Sequence, residues 1–252
     1  MVLCLGKAAE GQYAYFPDQG TITFEKTVFL KNLIKRYAAY AKDEESRNAF
    51  KGMVEHAPEN QVLKKTLKFS ANEVLYEHIP EEYPEAAQNL MRMGVFESGI
   101  SSYQNLKTKE FKSAFELGGE RIVIADSTLK IKWKITNEYR QIAGYQCRRA
   151  NGLVLDSIYA VAFYTDQIPV SGGPSAFSGL PGMILGLAVP ELHYNMFATK
   201  VELSPVTIFS ADFLKKKDKP LNRKQVYDKL NAVVGDYLGV KVYNLVMGCY
   251  YL

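Results

Sequence analysis

The chain has 252 residues, of which 47% are hydrophobic, 23% charged and 12% aromatic, a composition typical of globular proteins and not of disordered or fibrous ones. A chain of this length buries roughly 75% of the surface that its unfolded form exposes, so it needs neither disulfides nor a structural metal for a core. No uninterrupted stretch of about 20 apolar residues occurs, which excludes a conventional membrane-spanning helix. The 31 basic and 27 acidic residues leave a net charge of +4, too small and too dispersed along the chain to indicate nucleic acid as a partner.

The first part of the chain predicts a strand, a long helix and further β-structure. Residues 21–30 alternate β-branched or aromatic residues with polar ones, which is the period of a half-buried strand. Over residues 31–56 the apolar positions approximate helical spacing, and Pro58 ends this predicted helix. Residues 61–79 return to β-like patterning, and residues 84–93 predict a short helix that begins at a proline.

From residue 101 onward the pattern is strongly β. The predicted strands, separated by Gly-rich or Asp-Ser turns, cover residues 101–117, 121–125, 129–137, 139–150 and 154–165. Asn151-Gly152 predicts a hairpin between the last two, because both residues tolerate positive φ in a type I′ turn. Residues 183–189 and 193–203 predict another hairpin, with Pro190-Glu191 near its turn. The segment therefore predicts an antiparallel meander.

The last part of the chain predicts a connector and a helix. Residues 215–220 form a lysine-rich run that is typical of a solvated loop, although such a cluster can also contact anionic lipid or an acidic partner. Asn222 begins a predicted helix to about Gly235, with Gln225 placed for a partial capping box. We expect one β-rich α+β domain over residues 10–252, with a curved antiparallel sheet, a long helix in the N-terminal half and a C-terminal helix.

The N-terminal residues suggest export. Residues 1–9 read as an apolar stretch followed by Gly-Lys-Ala-Ala, which resembles the end of a signal peptide. Cys4 lacks the small preceding residue that a lipobox requires, so we do not expect lipidation. Cys147 and Cys249 match no zinc spacing. Two states stay open for them, a disulfide in an oxidising compartment or, as we prefer, a buried free thiol at Cys147.

Three common catalytic and phosphate-binding motifs do not occur in the sequence. The three histidines show no H-E-x-x-H spacing, and the sequence contains neither a G-x-S-x-G elbow nor a P-loop. Met91, Met93, His193 and Met196 carry ligand types suited to copper, but packing is the better explanation, because His193 and Met196 would point to opposite faces of a strand. We therefore assign no catalytic residues, no metal site and no cofactor.

A more specific pattern begins at Trp133. After it come Gly144-Tyr-Gln-Cys-Arg-Arg-Ala150, Ala162-Phe-Tyr-Thr165 and Phe177-Ser-Gly-Leu-Pro-Gly-Met-Ile184. This order and spacing resembles the GLPGLI family, named for a motif that stands here as Gly179-Leu-Pro-Gly-Met-Ile184. The resemblance covers roughly residues 20–203 and implies an exported, envelope-associated bacterial protein with no established enzymatic activity. Met183 replaces the usual leucine, and Phe163 stands where tryptophan is expected; both preserve an apolar contact.

The signature itself predicts a rigid loop over residues 171–184. Gly179 and Gly182 can adopt φ values closed to other residues, while Pro181 fixes its own φ. The loop is interpreted as a structural bend or, alternatively, as a recognition surface in which Ser175 and Ser178 face outward. For the second alternative the candidate binding residues are Trp133, Pro174, Ser175, Phe177, Ser178, Leu180 and Pro181.

The leading functional hypothesis is a noncatalytic binding or assembly component of the cell envelope. It would lie in the periplasm or at the outer membrane and present an apolar groove or docking surface to an envelope protein or an apolar ligand. The 30 Phe and Tyr residues and the absence of a catalytic motif favour this hypothesis. The alternatives are an enzyme of unfamiliar type, for which a pocket with perturbed carboxylates beside His193 or Cys147 would be the clue, and a metal-handling protein.

Overall fold

A computed structural model describes residues 17–97, 99–117, 119–209 and 213–252, and its main feature is one antiparallel sheet. In chain order the strands are β1 (Gln19–Val28), β2 (Gln61–Ser70), β3 (Glu73–His78), β4 (Ser101–Asn105), β5 (Glu110–Leu117), β6 (Glu120–Ser127), β7 (Lys132–Ile142), β8 (Tyr145–Val154), β9 (Ile158–Thr165), β10 (Met183–Val189) and β11 (Tyr194–Glu202). Their order in the sheet is β6-β5-β4-β3-β2-β1-β11-β10-β9-β8-β7. The antiparallel β-structure predicted between residues 101 and 203 is confirmed.

The first and last strands lie side by side in the middle of the sheet. β1 pairs with β2 on one side and with β11 on the other. The meander β1–β6 and the meander β7–β11 therefore form one continuous sheet. Burial alternates along β1, where Ile22, Phe24, Lys26 and Val28 are all buried, because successive side chains point to opposite faces. The face that carries these four residues is called the inner face below.

The loop before β10 shows that the sheet is strongly curled. The carbonyl oxygen of Ser175 accepts hydrogen bonds from two side chains of β4, and that of Ser178 accepts one from Trp133 of β7. These strands lie eight places apart in the sheet, which is about 38 Å if the sheet is flat. Three residues of extended chain span at most about 11 Å. The two halves of the sheet must therefore curl towards each other around this loop.

The helices lie in two groups, one between β1 and β4 and one after β11. They are α1 (Leu30–Tyr40), α2 (Glu44–His56), α3 (Glu85–Arg92), α4 (Arg223–Leu230), α5 (Asp236–Leu238) and α6 (Val240–Tyr251), with a π-helical turn (Asn231–Gly235) between α4 and α5. α6 is buried along most of its length, and its Tyr250 ring lies 4.6 Å from that of Phe115 on β5. A helix that is apolar on most sides belongs inside a core, and α6 packs against the inner face.

The helix predicted over residues 31–56 is two helices. The chain leaves the helical conformation at Ala41, and Asp43 then begins α2, with its Oδ1 accepting a hydrogen bond of 2.8 Å from the Ser46 amide. Asp is a favoured N-cap residue because its side chain satisfies an amide that has no partner inside the helix. Apolar residues keep the helical spacing across the break, so the sequence pattern predicts one helix instead of two.

Several of the predicted strand boundaries are wrong. Residues 101–117 contain a turn, at which Asn105 Oδ1 accepts from the amides of Lys107 and Thr108. Asn151 and Gly152 do not form a hairpin; they lie within β8 and pair with β9. Gly152 is needed there because a Cβ would lie 2.6 Å from the Trp133 ring. The glycine makes room for an aromatic ring and does not supply a turn.

Other local predictions are confirmed. β10 and β11 form a hairpin through a 3₁₀ turn at Pro190–Leu192, and Asn222 begins α4 with a capping box that includes Gln225. Pro84 stands just before α3. Within the described residues, no helix is both long and apolar enough to cross a membrane. The predicted signal-peptide remnant at residues 1–9 and Cys4 lie outside the described residues.

Candidate binding site

An apolar cavity of about 330 Å³ lies between the helices and the end of β5. α1 contributes Tyr37, α2 contributes Phe50 and Met53, and β5 contributes Leu117. The remaining apolar lining comes from Met93, Gly94 and Val95 after α3 and from the C-terminal helical region, through Val234, Tyr237, Leu238, Val242 and Val246. A concave, mostly apolar space of this size is typical of a small-ligand site.

The segment after α3 forms one wall of the cavity, and its conformation depends on a glycine. Gly94 has φ +72°, which L side chains rarely adopt, and a Cβ there would lie 2.9 Å from Leu117 Cδ1. The next residue, Val95, accepts a 2.9 Å hydrogen bond from the Tyr37 hydroxyl through its carbonyl oxygen. The wall is therefore held to α1 by a buried hydrogen bond.

The mouth of the cavity, at Met93 and Tyr237, carries exposed apolar side chains. Met93 and Tyr237, which line the cavity, are 60% and 67% exposed. Val233 and Val240, their neighbours along the helical region, are 75% and 64% exposed. Large apolar side chains that are exposed beside an apolar cavity make this area a candidate ligand- or partner-binding surface.

A buried cluster of three charges lies on the inner face. Glu97 places its Oε1 against Nζ of Lys26 and its Oε2 3.2 Å from Nζ of Lys65. Lys26 on β1 and Lys65 on β2 are diagonal neighbours on the inner face, since Lys26 pairs with Leu63. Lys26 Nζ also lies 4.2 Å from the centroid of the Tyr194 ring. All three charged side chains are at most 4% exposed.

The ionisation of this cluster is governed by burial and by mutual attraction. Burial lowers the pKa of Lys65 to about 8, although the nearby Glu97 opposes the decrease. For Glu97 burial acts in the direction of a higher pKa, but the attraction of Lys26 and Lys65 overcomes it and lowers the pKa to about 2. At neutral pH both Glu97 and Lys65 are therefore charged.

The charged cluster and the apolar cavity are joined by one short segment. Met93, Gly94 and Val95 line the cavity, and Glu97, two residues further on, is the acidic member of the cluster. Glu97 also lines a smaller polar cavity of about 290 Å³ with Arg121 and Tyr250. The cluster thus anchors the wall of the apolar cavity to the middle of the sheet.

The loop singled out by the sequence lies between β4 and β7. Ser102 Oγ and Gln104 Nε2 donate to the Ser175 carbonyl at 3.1 and 2.7 Å, and Trp133 Nε1 donates to the Ser178 carbonyl at 3.0 Å. Of the candidate binding residues, Pro174, Ser175, Phe177, Ser178 and Leu180 are buried, Trp133 is half-buried and Pro181 is exposed. These contacts bring the candidate residues together as a bridge inside the curled sheet, and their role in recognition stays a prediction.

Two expectations about this loop are wrong. Ser175 and Ser178 do not face outward, since each is only 6% exposed. Gly179 does have positive φ, at +94°, but Gly182 is required for a different reason: a Cβ there would overlap the carbonyl oxygen of Thr165 on β9. Close backbone packing, and not a special φ, explains the second glycine.

The two described cysteines are both buried free thiols. Burial raises the pKa of Cys147 to about 12 and that of Cys249 to about 11, so neither is poised to act as a thiolate near neutral pH. In the described part of the chain, no three His, Cys, Asp or Glu side chains group closely enough to hold a metal ion. The free state of Cys147 is the one preferred from the sequence.

Sequence reasoning did not find the apolar cavity or the charged cluster. The cavity combines four separate parts of the chain, which no local pattern connects. For the cluster a signal does exist, because Lys26 and Lys65 each occupy an apolar phase of an alternating strand: Lys26 follows Ile22 and Phe24, and Lys65 lies between Leu63 and Leu67.

Comparison with known families yields one partial match. A family model described as "Protein of unknown function (Porph_ging)" matches residues 152–186. The matched stretch contains the Gly179–Ile184 motif and is compatible with the resemblance to the GLPGLI family. A search of curated proteins finds no match.

Among solved structures, the chain is similar to PNGF-II in two crystal forms. The C2 form gives a TM-score of 0.53 and the P21 form 0.50, each at 16% sequence identity. The aligned region covers 83% and 84% of this chain but only 32% of each PNGF-II chain. The chain thus spans about a third of the length of PNGF-II, and at this identity the similarity shows the fold alone.

Proposed function

We propose that this protein is a noncatalytic binding component of the bacterial cell envelope that holds an apolar group in the cavity between α1, α2 and α6. The observation that carries the proposal is the cavity of about 330 Å³, with its apolar lining and its exposed mouth at Met93 and Tyr237. The envelope location rests on the sequence resemblance and on the signal-like N-terminus. The enzyme and metal-handling alternatives stay hypotheses.

The composition of the lining favours a ligand with a flexible apolar chain. Most lining residues are apolar, and the few polar ones include Ser46 and Arg92, so shape and apolar burial would dominate affinity. Each buried methylene contributes about 0.8 kcal/mol. We therefore expect the affinity for a series of linear 1-alkanols to rise about fourfold per methylene and to level off once the cavity is filled.

The proposal is tested with a neutral apolar fluorophore, N-phenyl-1-naphthylamine, and with 1-alkanols as competitors. Ala49 lines the cavity and is exposed on α2, so Ala49→Trp should fill the entrance. The matched control is Ala39→Trp, an exposed alanine on α1 that does not line the cavity. We expect Ala49→Trp to weaken binding at least tenfold and Ala39→Trp to leave it unchanged, with both variants keeping the parent melting temperature. Equal binding by the two variants would contradict the proposal.

A further inference from the structure

A basic cleft of about 560 Å³ lies beside the edge strand β6. The segment after residue 212 runs along β6, where the Leu221 amide donates to Val123 and the Ala125 amide donates to Leu221. The charged side chains that line the cleft are Glu120, Arg121, Lys215, Lys216, Lys217, Asp218, Lys219 and Lys229. Six of these are basic and two are acidic.

The acidic residues of the cleft are already paired. Asp218 contacts Arg121 Nε at 3.2 Å, and Glu120 contacts Lys229 Nζ at 2.5 Å. Lys215, Lys216, Lys217 and Lys219 are exposed and form no ion pair with any residue that the structure describes. These four lysines leave the cleft with a net charge of +4.

The basic cleft and the apolar cavity are built partly from the same two elements. Leu117 lines the cavity and Glu120 lines the cleft, and the two residues pair across the β5–β6 hairpin. Lys229 in the cleft and Val234 in the cavity are five residues apart in the helical region after residue 222. An apolar cavity and a cationic cleft thus share two structural elements.

We propose that this combined surface binds an anionic phospholipid bilayer, with an acyl chain entering the cavity and a phosphate headgroup lying in the cleft. The inference rests on the proposed function and names its ligand class. Membrane-surface proteins combine buried apolar side chains with basic residues that attract anionic lipid. The exposed Met93, Val233, Tyr237 and Val240 supply the first element, and the four unpaired lysines supply the second. An acidic polypeptide would need only the cleft and would leave the apolar mouth uncovered.

The test is co-sedimentation of the full chain with vesicles of phosphatidylcholine alone or with added phosphatidylglycerol. The cleft variant is Lys215→Gln/Lys216→Gln/Lys217→Gln. The matched control is Lys130→Gln/Lys132→Gln/Lys134→Gln, which removes the same charge from three exposed lysines in and just before β7. Since each lysine near an anionic surface contributes about fivefold to binding, we expect the cleft variant to bind anionic vesicles about a hundredfold more weakly and the control to bind like the parent. Added salt should weaken parent binding.

Fluorophore binding separates this inference from the proposed function. Both lysine variants should bind N-phenyl-1-naphthylamine like the parent, because the cavity is unchanged. The inference would be overturned if the two lysine variants lost the same affinity for anionic vesicles. It would also be overturned if the parent bound neutral and anionic vesicles equally well. Binding to polyglutamate without binding to vesicles would overturn it in favour of an acidic polypeptide. Vesicle binding without fluorophore binding would instead contradict the cavity proposal.

Discussion

Replacing Glu97 by glutamine tests the buried charged cluster most directly. The substitution keeps the size of the side chain but removes the carboxylate that offsets Lys26 and Lys65, in a site where all three side chains are at most 4% exposed. Removing one partner of a buried ion pair typically costs about 3–5 kcal/mol, because the remaining charge is uncompensated. We expect a loss of this size in the free energy of unfolding, which is a large part of the roughly 5–15 kcal/mol that stabilises most domains.

The measurement is urea denaturation at neutral pH, followed by tryptophan fluorescence and circular dichroism. The control is Glu202→Gln, because Glu202 pairs with Lys200 at 2.8 Å while both side chains are more than half exposed; an exposed pair contributes only about 0–1 kcal/mol. A triple variant, Lys26→Met/Lys65→Met/Glu97→Met, should recover most of the loss, since apolar residues of similar volume can replace a buried ionic cluster with little change in stability. If Glu97→Gln costs no more than Glu202→Gln, Glu97 is solvated and the cluster described above does not exist in solution.

Three further predictions concern pH and backbone packing. Because the pKa of Glu97 is lowered from 4.5 to about 2 by folding, the stability gap between the parent and Glu97→Gln should be full above pH 4.5 and should close as the pH falls towards 2. Lys65 behaves oppositely: its folded pKa of about 8 lies below the 10.5 of the unfolded chain, so the parent should gain stability relative to Lys65→Met as the pH rises from about 8 to 10.5. Denaturation series over these ranges check both signs, and parallel curves would contradict them. Gly182→Ala should cost about 1–3 kcal/mol in the same assay, because its Cβ overlaps the Thr165 carbonyl, whereas Gly52→Ala, whose Cβ meets nothing within 4 Å, should not destabilise the fold.

The sequence predicts the strands well because burial on one face produces alternation that a short window detects. The β10–β11 hairpin and the α4 capping box are also local features, and both were found. The Asn151-Gly152 error arises because glycine can serve two different structural purposes. Gly152 is compatible with a turn, but in the fold its missing side chain accommodates the ring of Trp133. No local pattern distinguishes a glycine that bends the chain from one that makes room for a neighbour.

The candidate site illustrates a different limit. The loop signature is visible because its glycines and prolines lie close together in the sequence, yet its main contacts are with β4 and β7, strands eight places apart in the sheet. The cavity likewise depends on the pairing of the first strand with the last, which brings the C-terminal helices against α1 and α2. Such long-range pairings are set by the whole chain, so the sequence predicts the loop but not the cavity.

The positions of Lys26 and Lys65 in the sequence nevertheless indicate a buried charged cluster. In an alternating strand a charged residue should occupy the solvent phase, because transfer of an unpaired ammonium group into a core costs several kcal/mol. Both lysines instead occupy the buried phase, in two strands that pair as neighbours. Two such violations require an acidic partner from elsewhere in the chain, and the chain supplies it through Glu97. The same carboxylate fixes the segment that lines the apolar cavity, so the position of that wall depends on an ionic interaction in the middle of the sheet.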